Sequence, residues 1–312
     1  MKRAPRLLTA MLAVSLCFAG ILTDNTPAYA VNGLTVSPPL KEVTLGPGLI
    51  ETATYVTLQN NTSQSIRAHL QLADLRALGE YGGTSLDKAG LSDKYDLADW
   101  MTLPSGDTVI IASGETLRVK VDIANRSDLA PGGHYGAVVI TSSSDNSVKS
   151  DVNINQQLVS LLFIKKLGGE VYGLQLESQD YKKTSGIPQE VTTRFKGTGN
   201  VHVIPRGYIE VTDPVGKVVA KGIINEDSNI VLPDKSRQFV SLMNPIAAAD
   251  RSGRYKVTVY YRYDGQKDFS SQTTYFDHGT NLVPYMAGGV IAISGLATGV
   301  YFIFRNKRKA FK

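Results

Sequence analysis

The four histidines, His69, His134, His202 and His278, are scattered, and no two stand at the spacing that puts imidazoles on one metal ion, so no zinc centre is expected. Nor does the sequence contain a Gly-x-Ser-x-Gly nucleophile elbow, a Gly-x-x-x-x-Gly-Lys-Ser/Thr phosphate loop or a His-Glu-x-x-His pair. Lys196-Gly197-Thr198-Gly199 offers Gly-x-Gly, but strand-like segments flank it, which makes it a turn and not a cradle for phosphate. Paired carboxylates for glycosidic chemistry are fixed by separation in space, so sequence spacing does not decide them. The residues read as those of a non-catalytic chain with no cofactor and no metal.

Binding chemistry is better represented. Tyr81, Tyr95 and Trp100 lie in the segment from Arg76 to Trp100, which is glycine-rich at Gly79, Gly82 and Gly83 and acidic at Glu80, Asp87, Asp93, Asp96 and Asp99. A long interruption of strand rhythm is often functional, and exposed rings stack on sugars; the same rings can instead pin a solvated excursion to a core. The acids lack the Asp-x-Asp-x-Asp-Gly spacing of a calcium loop, and Ser92 to Trp100 reads as a short helix. Tyr181, Tyr208, Tyr260, Tyr261 and Tyr263 form a second aromatic set, with ordinary strand or core packing as the alternative. Near the C-terminus Gly295 and Gly299 make a Gly-x-x-x-Gly pair, with Gly288 and Ala292 on roughly the same face, where two helices could approach closely.

The 312 residues carry a formal charge of +5, a value that raises nucleic acid as a partner only if the basic residues belong to the folded part. They do not. Lys2, Arg3 and Arg6 precede the apolar run Leu7 to Leu22, and Ala28-Tyr29-Ala30 follows as a small-x-small cleavage site, the order of a signal peptide over 1–30. Residues 282–304 are an uncharged stretch of 23 residues, about 34 Å as a helix, followed by the basic tail 305–312. The positive-inside rule then anchors the chain in a membrane by one span, with the tail cytoplasmic and the rest extracellular. No Leu-Pro-x-Thr-Gly sorting signal precedes that stretch. Residues 31–281 hold 25 basic and 27 acidic side chains, which excludes a nucleic-acid surface. Cys17 falls inside the signal peptide, so the exported region has no disulfide and must be held together by packing.

That exported region reads almost wholly as strand. Apolar residues alternate at Thr54, Val56 and Leu58, at Ile66 to Leu72, at Leu117 to Ile123 and at Tyr135 to Thr141, punctuated by Asn60-Asn61, Ser113-Gly114 and Pro131-Gly132-Gly133. The run Leu158 to Ile164, apolar except for Ser160, predicts a strand covered on both faces. After Lys165-Lys166-Leu167-Gly168-Gly169 the pattern restarts at Val171 to Leu176 and continues through Tyr255 to Tyr261. Gly133-His134-Tyr135 is echoed by Gly253-Arg254-Tyr255. The expectation is an all-β chain of two tandem immunoglobulin-like sandwiches, 31–165 and 166–278, followed by the single membrane helix.

This order of features resembles the WxL-interacting protein family. The resemblance is carried by Ser37-Pro38-Pro39, Gly46-Pro47-Gly48, Leu58-Gln59-Asn60-Asn61, Trp100, the stretch Thr108 to Glu115 and Ala130-Pro131-Gly132-Gly133-His134-Tyr135-Gly136-Ala137, together with the second sandwich, the span and the basic tail. It implies an N-terminal module that binds cell-wall peptidoglycan and a second module that engages a surface protein of the WxL type. Trp100 is followed by Met101 and Thr102, so the chain is not itself a WxL protein. The expected function is that of a membrane-anchored, non-catalytic adaptor at the cell surface. The alternative is a structural subunit that associates through sandwich edges without glycan binding.

Overall fold

In the strand Glu51–Asn60, the side chains of Thr54, Val56, Leu58 and Asn60 are buried, and those between them are half-buried or exposed. A period of two fixes one face against a core, and it recurs along most of the chain. The computed structural model describes residues 33–279, apart from 47, 49–50, 89–92, 127–128, 145–155 and 183–185. The signal peptide, the 282–304 span with Gly295 and Gly299, and the basic tail lie outside the described residues, among which no helix is long and apolar enough to cross a membrane.

The first half contains β1 (Leu34–Ser37), β2 (Leu40–Leu45), β3 (Glu51–Asn60), β4 (Ile66–Leu78), β5 (Gly83–Lys88), β6 (Met101–Thr102), β7 (Thr108–Ile111), β8 (Thr116–Ala124), β9 (Gly132–Ser144) and β10 (Gln156–Lys166). One sheet runs β1-β3-β8-β6; the other runs β2-β10-β9-β4-β5, with β7 also on β4. Val56, Leu58, Val119, Val121 and Ile123 from the first sheet meet Ala68, Leu70, Val138, Ile140, Leu162 and Ile164 from the second. The second half contains β11 (Leu174–Tyr181), β12 (Glu190–Gly197), β13 (Arg206–Thr212), β14 (Val218–Ile224), β15 (Ser236–Leu242), β16 (Asn244–Pro245), β17 (Gly253–Arg262) and β18 (Ser270–His278). Its sheets, β11-β12-β15 and β16-β14-β13-β17-β18, enclose a separate core around Phe195, Val211, Tyr255 and Val257. The protein is therefore all-β and sandwich-like, and residues 167–173 connect the two pairs of sheets.

Three local expectations need correcting. The segment from Arg76 to Trp100 is not a single excursion, because β4 runs on to Leu78 and β5 returns along it in register from Ala73↔Lys88 to Leu78↔Gly83. Within Ser92 to Trp100 the only helical turn among the described residues is the 3-10 turn Ala98–Trp100. Buried Asp74 accepts hydrogen bonds from the backbone N–H groups of Leu97 (2.8 Å) and Ala98 (2.7 Å), which anchors that turn on β4. Finally, β11 starts at Leu174; Val171 and Tyr172 are exposed in the connection.

The run Leu158 to Ile164 behaves as its composition requires. Leu162 and Ile164 point into the first core, while Val159, Leu161 and Phe163 point to the opposite face of the sheet. There Leu75, Tyr135 and Phe163 form a second apolar cluster, closed by Tyr95 from the same module and by Ile230 and Leu232 from the other. The outer face of the β10-β9-β4 sheet is thus where the two modules meet.

Candidate functional site

The junction is organised around Tyr135, the third residue after Gly132 at the start of β9. Burial holds its phenol un-ionised by pushing its pKa up. Its ring meets Phe163 edge-on at 5.1 Å and the His202 imidazole at 5.6 Å. Its oxygen accepts the backbone N–H of His202 at 2.7 Å and lies 3.3 Å from His202 Nδ1. On the far side of the imidazole, Nε2 is 3.4 Å from a carboxylate oxygen of Glu42 on β2. The set closes on a neutral imidazole: Tyr135 donates to Nδ1 and Nε2–H points at Glu42. Burial lowers the His202 pKa, and this outweighs the pull of Glu42 towards the charged form.

Asn200, just before this site, ties the junction together. Its side-chain oxygen accepts the N–H of Val171 (2.6 Å), and its amide donates to the carbonyls of Pro131 (3.1 Å) and Gly169 (2.9 Å). Its backbone carbonyl accepts the N–H of Gly133 at 2.8 Å. One residue therefore holds the first module, the connection and the second module. Gly199 beside it permits this approach, since a Cβ there would collide with the carbonyl of Val171. Lys196 and Gly197 end β12 and Thr198-Gly199 lead out of it, and the tight backbone packing of these residues is part of the junction.

Around the rim, charges are paired across the modules. Glu80, at the β4–β5 turn, meets Arg194 and accepts from Gln238 at 2.9 Å, and its backbone carbonyl accepts the Gln238 N–H at 2.7 Å. Hydrogen bonds from Gln238 and Arg194 lower the Glu80 pKa. Lys94 pairs with Asp234 at 2.7 Å, and the Tyr95 hydroxyl donates to the same carboxylate at 3.0 Å. These bonds hold the Asp234 carboxyl below the usual carboxylate range, the Lys94 contact contributing most.

Between β2, β10 and the 201–204 segment the junction opens into a cleft of about 260 Å³. Phe163, Tyr172 and Val201 give it apolar and aromatic wall, Glu42, Lys165 and Asp264 give it charge, and the neutral His202 imidazole lies among them. Clefts at module boundaries with a few convergent polar groups are where small ligands bind.

The aromatic residues singled out from the sequence do not form one platform. Tyr81 is 81% exposed at the hairpin turn, whereas Tyr95 packs at the junction and bonds Asp234. Trp100 packs against the first core and lies 4.9 Å from the His134 ring. Three of the acids beside them belong to Arg76, which contacts Asp87 (2.9 Å), Asp93 (3.5 Å) and Asp96 (2.8 Å). In the second module Tyr208 and Tyr260 stack at 4.9 Å on the outer sheet face, Tyr261 packs on Phe195, Tyr181 donates to the carbonyl of Tyr275, and Tyr263 donates to that of Tyr172. Sequence reading missed Glu42, Asn200 and the junction role of His202. The available signals were the doubly apolar β10 and the Gly-x-Gly before Asn200.

No family model matches the chain, and no curated protein matches it. Among solved structures, it is similar to one titled as a chaperone-tip adhesin complex of CFA/I fimbriae biogenesis, at 10% identity and a TM-score of 0.45, covering 79% of this chain and 98% of that one. It is also similar to the class 5 fimbriae chaperone CfaA, at 8% identity and a TM-score of 0.41, covering 78% and 99%. A third is the CsuC–CsuE chaperone-tip adhesion subunit pre-assembly complex from Acinetobacter baumannii, at 12% identity and a TM-score of 0.40, covering 77% and 97%. These likenesses concern the sandwich-like fold.

Proposed function

We propose that the chain is a membrane-anchored, extracellular, non-catalytic adaptor whose residues 31–165 bind cell-wall peptidoglycan and whose residues 166–278 bind another surface protein. The observation that carries this reading is the junction: a continuous set of apolar and hydrogen-bonded contacts through Tyr135, Asn200 and Glu80 holds two separately cored modules in one fixed relation. A linked pair of rigid modules suits a chain that joins two surfaces. The resemblance to the WxL-interacting family supplies the two ligand classes. Charge supports different partners, since residues 31–165 carry a net −4 and residues 166–281 a net +2.

The protein-binding half is further supported by β18. It pairs with β17 over nine residues without a register shift, it is mostly exposed, and it contains neither Lys nor Pro to blunt its outer edge. β18 lies at the end of its sheet with Ser270 to Thr273 exposed, and the Tyr275 carbonyl already accepts the Tyr181 hydroxyl. An extended segment can add there as a further strand. This edge also favours the second reading, a structural subunit without glycan affinity.

Sedimentation of the purified full-length protein with insoluble peptidoglycan separates the two. Co-sedimentation at moderate salt supports the adaptor, and retention in the supernatant removes its wall-binding half. Crosslinking in membranes, with Thr273→Pro as the edge-blocking variant, tests the other half: the crosslinked product should be lost in the variant, and its persistence would place the partner elsewhere.

A further inference from the structure

Charged groups at the junction fall into two sets. Those on the rim are matched across the modules, Glu80 with Arg194 and Lys94 with Asp234. Those in the cleft are not. Among the described residues neither Lys165 nor Asp264 makes an ion pair; Lys165 donates only to the Tyr172 hydroxyl at 3.3 Å, and Asp264 accepts the Ile204 N–H at 3.0 Å. Among the described residues the one ionisable partner of Glu42 is His202, whose buried imidazole is neutral at physiological pH. Glu42, Lys165 and Asp264 all line the same cleft around that imidazole, so the three permanent charges share one site.

From this juxtaposition we infer that the cleft is a binding site for a small zwitterion, a di- or tripeptide with both its ammonium and its carboxylate free. Glu42 and Asp264 receive the ammonium, and Lys165 receives the carboxylate. Charge-assisted hydrogen bonds of this kind are the strong ones. Phe163, Val201 and the Tyr172 ring provide apolar contact for small side chains between the two ends. A cleft of about 260 Å³ fits two or three small residues and excludes a folded partner. Because the lining comes from both modules, occupancy also ties their relative placement to the ligand. This assignment goes beyond the adaptor reading and does not need it, since sedimentation with the intact wall can fail while the cleft still binds.

The test is calorimetric titration of the full-length protein with alanyl-alanine, with its N-acetyl derivative and with its C-terminal amide. The parent dipeptide should bind saturably, and each blocked derivative should bind at least about tenfold more weakly. Glu42→Gln should narrow the gap between free and acetylated amine, and Lys165→Gln the gap between free and amidated carboxylate. Glu42 is largely exposed, so its variant keeps the fold, and the derivative series on the unaltered protein does not depend on any variant folding. Absence of saturable binding by the parent dipeptide, or equal binding of all three probes, would overturn the assignment.

Discussion

The strands β9 and β17 begin alike and end up with different tasks. Each opens beside a glycine at positive φ, Gly132 at 126° and Gly253 at 142°, and each then buries a tyrosine, Tyr135 at 2% exposure and Tyr255 at 0%. Tyr255 serves its own module: its hydroxyl donates back to the Arg251 carbonyl at 2.8 Å and its ring stacks on Phe276 at 5.4 Å. Tyr135 serves the junction, its oxygen accepting a backbone N–H from the other module. The same local sequence therefore closes a sandwich in one place and joins two sandwiches in the other. What differs is the neighbour: the outer face of β9 is covered by Ile230, Leu232 and His202, whereas Tyr255 faces the second module's own core.

The largest effects should come from removing the two rings. Tyr135→Ala and Tyr255→Ala should each cost about 3–5 kcal/mol. Calorimetry of Tyr255→Ala should show the second module melting early, whereas Tyr135→Ala should separate one cooperative transition into two. If both variants gave the same profile, the division of roles would be wrong.

Removing only the hydroxyls sharpens the contrast. Tyr135→Phe leaves the His202 N–H buried without an acceptor and should cost about 1–3 kcal/mol, while Tyr255→Phe removes one ordinary bond and should cost about 1 kcal/mol. Denaturant midpoints at constant slope would check this order.

Acid should act on the junction next. The folded pKa of His202 lies below its ordinary value of 6.5 because of burial, so the unfolded chain binds the extra proton first. Stability from the neutral imidazole is complete above about pH 6.5 and is lost as pH falls towards the folded pKa. His134, also lowered by burial, adds to this within the first module. His202→Gln should flatten the pH dependence of the melting temperature between neutral and acid, and an unchanged slope would remove His202 from the account. The smallest effect is expected from Asp234→Asn at the solvated rim, where exposed pairs contribute little and salt screens them. Its melting temperature should barely move.

Much of the fold was legible because one-faced strands write themselves as alternation, as in Val56 and Leu58 or Val119, Val121 and Ile123. Strands that break that rule were harder. β18 has most of its side chains exposed, so Ser-Ser-Gln-Thr-Thr has no apolar period to read. β4 loses its alternation at Ala73-Asp74-Leu75, where core and junction cover opposite faces, and the β4–β5 hairpin was hidden for that reason. Of the junction, only the doubly apolar β10 and the Gly-x-Gly before Asn200 left a trace. Glu42, Asn200, His202 and Asp264 are far apart in sequence and meet only through the packing of modules, which no local pattern records.

The central claim, that the modules are held in one relation by the junction, is most directly tested by a distance distribution between them. Cys17 is the sole cysteine, so spin labels at Thr116→Cys and Glu226→Cys in a Cys17→Ser background report one pair. Pulsed electron paramagnetic resonance should give a single narrow distance at neutral pH that broadens in Tyr135→Phe. A broad distribution in the protein with Tyr135 intact would contradict the account.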